Sequence, residues 1–201
     1  MAYRETIKIK ERKAAQREAL LLAAEKLVRA QGFAGLTIQA LAQSAGVGVG
    51  TVYRYFSAKD ELAAEVFRVA TQREVAAVSE AINIDGDVSE KLRHAVEVFA
   101  HRAMRAPLFA WALIAEPAEP AVDAERIQYR QAYADEFETL LQDGVENHSL
   151  PPQNCALSAA ALVGAMAEAL VGPLAHLDDE SLVIEQLQQF CLRAVGATRA
   201  S

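Results

Sequence analysis

The sequence predicts an all-α protein of about nine helices. Three observations carry this. Helix-forming residues dominate, with only 10 Gly and 6 Pro among 201 residues. No run of four or more β-branched and aromatic residues shows the period-two pattern of a strand. Apolar residues instead recur at three- and four-residue spacing through most of the chain, the period of an amphipathic helix. With 52% hydrophobic residues, the chain can bury a sizeable core.

Residues 1–13 are polar and basic, and their pattern is that of an arm. Such an arm can reach into a nucleic-acid groove or remain a solvated tail. Helix one follows from about Ala14 to Ala30, where Leu20, Ala23, Ala24, Leu27 and Val28 form one apolar stripe. Gly32 supplies a left-handed stop, and Phe33 has a ring to bury. Thr37 is a good N-cap for helix two, about Ile38 to Ser44. Gly46 allows a turn with positive φ, and Val47 can plug the angle before helix three, about Val49 to Phe56. Two short helices joined by a three- or four-residue turn with glycine make a helix-turn-helix. Ser57 is the next capping residue, with Asp60 in the place of a capping-box acid. Helix four runs from about Lys59 to Ile82.

A polar break at 83–87 precedes helix five, whose Val88, Leu92, Ala95, Val96, Phe99 and Ala103 form a clean amphipathic series. Pro107 opens a short, very apolar sixth element with Phe109, Trp111, Leu113 and Ile114. Residues 116–120 form a stiff turn, and helix seven spans about Ala121 to Asn147. Helix eight, about Gln153 to Val171, is almost uncharged, with Gly172-Pro173 as its stop. Its length approaches a membrane span, but Glu168 lies inside the run and no aromatic belt or basic flank accompanies it. A helix apolar all round is therefore expected in a core or an interface. Helix nine covers about Asp179 to Val195.

Charge divides the chain. Residues 1–60 carry ten Lys and Arg against five Asp and Glu, a net of +5, which leaves −12 of the total −7 for the remainder. A basic front on an acidic body points to a front that meets a polyanion. Catalytic signatures are lacking. GVGVG at 46–50 has no following Lys-Ser/Thr and follows no strand, and there is no nucleophile elbow. Cys155 and Cys191 sit inside apolar patterns and read as buried small hydrophobes. His94 and His101 lie seven apart without further ligands in view, so neither metal nor cofactor is expected. The charged N-terminus reads as no signal peptide, which fits a cytoplasmic, nucleoid-associated protein.

Residues 17–62 resemble the DNA-binding domain of the TetR family, the tetracycline-repressor-like one-component regulators. The resemblance is carried by Ala23-Ala24, Gly32-Phe33, Thr37-Ile38, Leu41-Ala42, Ala45-Gly46-Val47, Gly50-Thr51-Val52-Tyr53, Tyr55-Phe56 and Lys59-Asp60-Glu61-Leu62. It implies a DNA-binding domain over 1–60 and a ligand-binding and dimerisation domain over 61–201. It also implies DNA contacts at Thr37, Gly48, Val49, Thr51, Tyr53, Tyr55 and Lys59. Position 48 is often Ser and position 49 often Lys in the family, so two polar contacts are missing here. Gln39 and Arg54 are further candidates from their own chemistry.

Phe99, Phe109, Trp111, Tyr129, Tyr133 and Phe137 read residue by residue as core. As a group, with Arg102, they become the lining of an effector pocket because the family implies one. Arg105, Glu116 and Arg130 are possible polar fixtures of it. The small-residue face of helix eight, with helix nine, is expected to form a four-helix bundle with a second copy. Its residues would be Ala160, Ala161, Gly164, Ala165, Glu168, Leu187, Phe190 and Cys191. Such a dimer would set two recognition helices about 34–36 Å apart on a double-stranded operator. The expected function is a ligand-responsive repressor. The alternatives are a DNA-binding regulator gated by a protein partner or by nothing, and a helical enzyme whose helix-turn-helix is incidental.

Overall fold

A computed structural model of the chain describes residues 2–171 and 179–197. Among these residues the fold is entirely helical. The helices are α1 (Ala2–Gln31), α2 (Ile38–Ser44), α3 (Val49–Tyr53), α4 (Lys59–Ile82), α5 (Val88–Arg105), α6 (Pro107–Ile114), α7 (Pro120–Glu146), α8 (Cys155–Val171) and α9 (Glu180–Ala194). A 3₁₀ turn, Phe33–Gly35, links α1 to α2. The expected Gly172-Pro173 stop lies outside the described residues. None of the described helices is long and apolar enough to cross a membrane.

α1 begins at Ala2, not near Ala14, so the expected arm is the first part of a helical rod. Residues 8–15 of it are exposed. Their lack of an apolar stripe hides the helix from periodicity. Elongating an already nucleated helix needs no buried face, only residues without Gly or Pro. α3 is shorter than expected and ends at Tyr53. The amides of Arg54 and Tyr55 bond three residues back, to Thr51 and Val52, which tightens the chain into a turn. Phe56 is nevertheless fully buried, as is Val52.

The start of α4 is capped differently from expectation. Glu61, not Asp60, accepts from both the backbone N–H of Ser57 (2.9 Å) and its hydroxyl (2.6 Å). Those bonds, with the nearby Arg17 charge a smaller influence, hold the Glu61 carboxyl below its ordinary pKa. α5 opens on a full capping box, with Asp87 and Glu90 each accepting from the other's backbone N–H.

One apolar core runs from Leu20 to Val195. α4 is its axis, packed on α1, α5 and α7, while α8 lies on α7 and α9 on α5. Aromatic rings join the two ends of the molecule. Phe33, beside the helix-turn-helix, lies 6.1 Å from Phe67 of α4, and Phe67 meets Tyr129 edge-on at 5.9 Å. Tyr129 and Tyr133 follow at 4.8 Å, and Tyr133 and Phe99 at 5.3 Å.

The polar link between the two ends is Glu116. Its side chain is buried, at 3% exposure, just beyond α6. It accepts from the backbone N–H of Phe33 (2.7 Å) and of Ala34 (3.0 Å). These are amides of the 3₁₀ turn with few other partners, and a carboxylate on two of them makes charge-assisted bonds. Gly32 makes room. Its φ is +71°, and a Cβ there would sit 2.7 Å from the Glu116 carboxylate.

Glu116→Ala leaves the buried Phe33 N–H without an acceptor, at a cost of about 1–3 kcal/mol. The urea midpoint should fall accordingly, with Glu116→Gln in between. An unchanged midpoint in both variants would show that this carboxylate does not hold the N-terminal helices in place.

Candidate functional site

The turn between α2 and α3 is built by a Schellman arrangement. Gly46 takes φ +65°, its N–H bonds the Gln43 carbonyl, and the Val47 N–H bonds the Ala42 carbonyl. Val47 packs against the core as expected, and the turn fixes the angle of α3. Thr37 caps α2, its Oγ1 accepting from the Ala40 N–H at 3.0 Å. That bond uses an acceptor lone pair and leaves the hydroxyl proton free for a partner.

The candidate contact residues divide by exposure. Thr37, Gln39, Gly48, Val49, Tyr53 and Arg54 are exposed, Tyr53 to 51%. Thr51 and Lys59 are half-buried, and Tyr55 is partly buried against the core. An added Cβ at Gly48 or Gly50 would meet nothing within 4 Å. Internal packing therefore accounts for neither glycine, and both leave the tip of α3 slim. Arg17 of α1 lies over the Phe56 ring at 5.0 Å and pairs with Glu65, which pins the end of the α3 turn to α1 and α4.

The resemblance makes Lys59, at the start of α4, a DNA contact. In the fold its ammonium meets Glu119, the N-cap residue of α7, at 2.5 Å. Burial opposes ionisation of Glu119, but the Lys59 hydrogen bond and charge outweigh it and leave the carboxyl below its ordinary pKa. A depressed carboxyl contributes stability above its unfolded pKa, and that contribution is lost as pH falls through the folded value.

A cavity of about 280 Å³ lies between α1, α4, α5, α6 and α7. Of the expected lining, Phe99, Arg102, Phe109, Tyr129 and Tyr133 reach it. Trp111 and Phe137 do not. Trp111 points outward from α6, at 37% exposure, and Phe137 is sealed in the core one turn beyond Tyr133. Arg105 lines the cavity, whereas Arg130 and Glu116 lie off it. Besides small and aliphatic residues of α5 and α6, sequence reasoning missed two charged members, Arg29 of α1 and Glu74 of α4. Each reads as an ordinary solvated charge on its helix, and nothing local marks the cavity it borders. Glu74 takes both Nε (2.5 Å) and Nη2 (2.9 Å) of Arg102. Arg29 lies 3.8 Å over the Phe109 ring and bonds Glu25, which also holds Arg73 at 2.7 Å. Burial raises the pKa of Tyr129 and Tyr133, so both stay protonated.

The candidate dimer face also divides. Ala160, Ala161, Gly164 and Glu168 are exposed along α8, Ala165 is half-buried, and Phe190 is 48% exposed on α9. Nothing lies within 4 Å of a Cβ built on Gly164. A groove of about 730 Å³ runs along this face between α7 and α8. Leu187 and Cys191 belong elsewhere. They are buried within the chain, where α9 packs on α5, and burial pushes the Cys191 thiol up to about 12. A helix stripe records that a face is covered, not by which chain.

Residues 20–66 match the family model described as bacterial regulatory proteins, tetR family. Residues 85–170 match the tetracyclin repressor-like C-terminal domain. No curated protein matches the chain. Among solved structures, the fatty acid degradation regulator FadR from Bacillus halodurans superposes with a TM-score of 0.75 at 20% identity, over 88% of this chain and 94% of that one. FadR from Bacillus subtilis, in complex with stearoyl-CoA, gives 0.73 at 17% over 90% and 99%. RolR in complex with resorcinol gives 0.70 at 17% over 95% and 92%. At these identities the likeness is one of fold.

Glu119→Gln releases the Lys59 ammonium. DNA binding should tighten at low salt, and the slope of log K against log salt should steepen by about 0.9, one phosphate contact's worth. An unaltered slope would mean that Lys59 meets no phosphate.

Proposed function

As a member of the tetR family of bacterial regulatory proteins, the chain is a DNA-binding transcriptional regulator, and we propose that it is a homodimeric repressor released from a pseudo-palindromic operator by a small-molecule effector. We place its work in the cytoplasm, at the nucleoid, and assign it no catalysis. The head, residues 1–60, inserts α3 into a major groove roughly 12 Å wide. The bare tip at Gly48-Val49-Gly50 lets the backbone approach closely, and Thr51, Tyr53, Arg54 and Gln39 face the bases. Thr37 and Lys59, each at a helix start, take phosphates on either side, where free amides and the helix dipole favour an anion.

The observation that carries the effector reading is the makeup of the cavity wall. One wall residue, Arg29, belongs to α1 of the head, and another, Glu74, to α4, the helix that leads out of it. An occupant therefore touches the head and the body at once. α6 supplies Phe109 and Leu113 to the same wall and leads directly to Glu116, which grips the head at Phe33 and Ala34. A ligand that fits only one setting of α1, α4 and α6 shifts the molecule toward that setting, by no more than its preference for it. In a dimer joined through α8 and α9, such a shift changes the spacing of the two recognition helices and weakens operator binding. The ligands held by the two similar structures, stearoyl-CoA and resorcinol, accord with a small-molecule effector here.

Gel-shift with the DNA upstream of the chain's own gene should show specific, salt-sensitive binding. Tyr53→Ala and Lys59→Ala should each weaken it, Lys59→Ala alike across sequences and Tyr53→Ala chiefly on the specific site. Two variants that bind as the wild type does would sink this assignment of α3. For the dimer, light scattering at micromolar concentration should give twice the chain mass. Gly164→Leu, whose Cβ meets nothing within its own chain, should raise the dimer dissociation constant at least tenfold; an unmoved constant would place the interface elsewhere.

A further inference from the structure

The cavity that borders Arg29 and Glu74 carries more information than its position. Its inner wall is apolar and aromatic: Phe99, Phe109, Leu113, Tyr129 and Tyr133 are all buried. Its rim is cationic: Arg29, Arg102 and Arg105 are all exposed. The guanidinium groups are not equally free. Arg102 is committed bidentately to Glu74, and Arg29 and Arg73 share the single carboxylate of Glu25. Arg105 has no hydrogen-bond or ion-pair partner among the described residues. The cavity lining thus holds three guanidinium groups and one carboxylate, that of Glu74. This local excess of positive charge sits on a body whose net charge is −12. It is the reverse of what the body's composition would place there, and it disfavours a cationic occupant.

The inner end makes a second demand. The hydroxyls of Tyr129 and Tyr133 are 3.3 Å apart and share one hydrogen bond, that of Tyr129 donating. With the Tyr129 proton spent on that bond, the Tyr133 O–H is the donor left to face the cavity. Both phenols stay protonated at physiological pH because burial raises their pKa. Tyr133 therefore offers its proton to an acceptor oxygen.

Size narrows the class further. A closed apolar cavity of about 150 Å³ accommodates one benzene ring. The roughly 280 Å³ here leaves room for one or two fused rings with their substituents. A volume of this size fits a short ring system better than a long acyl chain.

We propose that this cavity binds a small aromatic carboxylate of one or two rings, its carboxylate held at the rim by Arg105 and its ring carrying an acceptor oxygen toward Tyr133. The ring lies among Phe99, Phe109 and the two tyrosines. Arg105 can take the carboxylate through two parallel N–H bonds without breaking an existing ion pair. The rim carboxylate of Glu74 stays neutralised by Arg102. This inference rests on the reading of the cavity as the effector site.

Isothermal titration of the full-length protein, without DNA, tests it with para-hydroxybenzoate, benzoate, para-hydroxybenzamide, a hydroxynaphthoate and stearoyl-CoA. One of the two hydroxylated acids should bind at least tenfold tighter than the neutral amide. Arg105→Ala, an exposed position whose change leaves the core intact, should remove that discrimination while leaving the amide's affinity unchanged. Tyr133→Phe should remove the preference for para-hydroxybenzoate over benzoate. Acid and amide binding equally, an acid-to-amide ratio unmoved by Arg105→Ala, no saturable binding of any aromatic acid, or stearoyl-CoA binding in their place would each overturn the proposal. Fluorescence anisotropy on upstream DNA, run in parallel, separates the two readings. An acid that binds as stated but leaves DNA affinity unchanged supports the ligand class and removes the release mechanism. A neutral compound or an acyl-CoA that binds and releases DNA keeps the release mechanism and overturns the class.

Discussion

The Glu116 carboxylate, seated on the amides of Phe33 and Ala34, is the constraint through which the two ends of the molecule are held in one arrangement. A buried carboxylate is costly unless its oxygens are satisfied, and here both are taken by backbone donors of the same turn. The turn in return depends on a residue without a side chain at position 32, because any Cβ there would collide with the carboxylate. Arg126 steadies the other side of the contact. It donates to the carbonyls of Leu113 and Glu116 at 3.1 and 2.8 Å and holds the end of α6 in place. The consequence is mechanical. α6 cannot move relative to α7 without either carrying the 3₁₀ turn along or giving up charge-assisted bonds.

Around that point the remaining links are weaker individually and aligned on α4. Glu65 and Arg73 of α4 pair with Arg17 and Glu25 of α1, Glu74 pairs with Arg102 of α5, and Arg68 pairs with Glu125 of α7. Exposed ion pairs contribute about 0–1 kcal/mol each, so stability rests on the apolar core and the pairs act mainly on orientation. The aromatic series Phe33, Phe67, Tyr129, Tyr133, Phe99 runs alongside them from the helix-turn-helix to the cavity wall. Close-packed rings have few alternative settings, so a ring displaced at the cavity is felt along the series. The polar and the apolar routes both end at Phe33.

Lys59 separates what is local from what is not. Its place at the start of α4 is written in the motif it ends, and so is its charge. Its pairing with Glu119 is not, because residues 60–118 must fold before the two meet. A phosphate at Lys59, as proposed, would compete with Glu119 for one ammonium, so the position of the α6–α7 connection would bear on that contact.

What the sequence by itself determined is whatever depends on neighbours in the chain. Helical periodicity, the Thr37 cap, the Gly46 turn and the spacing of the helix-turn-helix are all local, and the fold agrees with each of them. The bounds expected for α4 agree with the fold, although its N-cap is Ala58 and not Ser57. Local signals erred where a helix needed no buried face, as in residues 2–13, or where two acids competed for one cap, as Asp60 and Glu61 did. Tertiary structure alone decided which side of a stripe meets which element. Leu187 and Cys191 lie on the apolar stripe of α9, yet that stripe is spent on α5 within the chain. Trp111 belongs to the most apolar stretch, yet it faces outward because α1, α5 and α8 cover the other sides of α6. The cavity was decided in the same way. Five helices contribute to its wall, and Arg29, Glu74 and Arg105 acquire their shared field only when packing brings them together. Spacing along a helix fixes the direction of a side chain from its own axis, whereas what that side chain meets is set by the packing of the other helices.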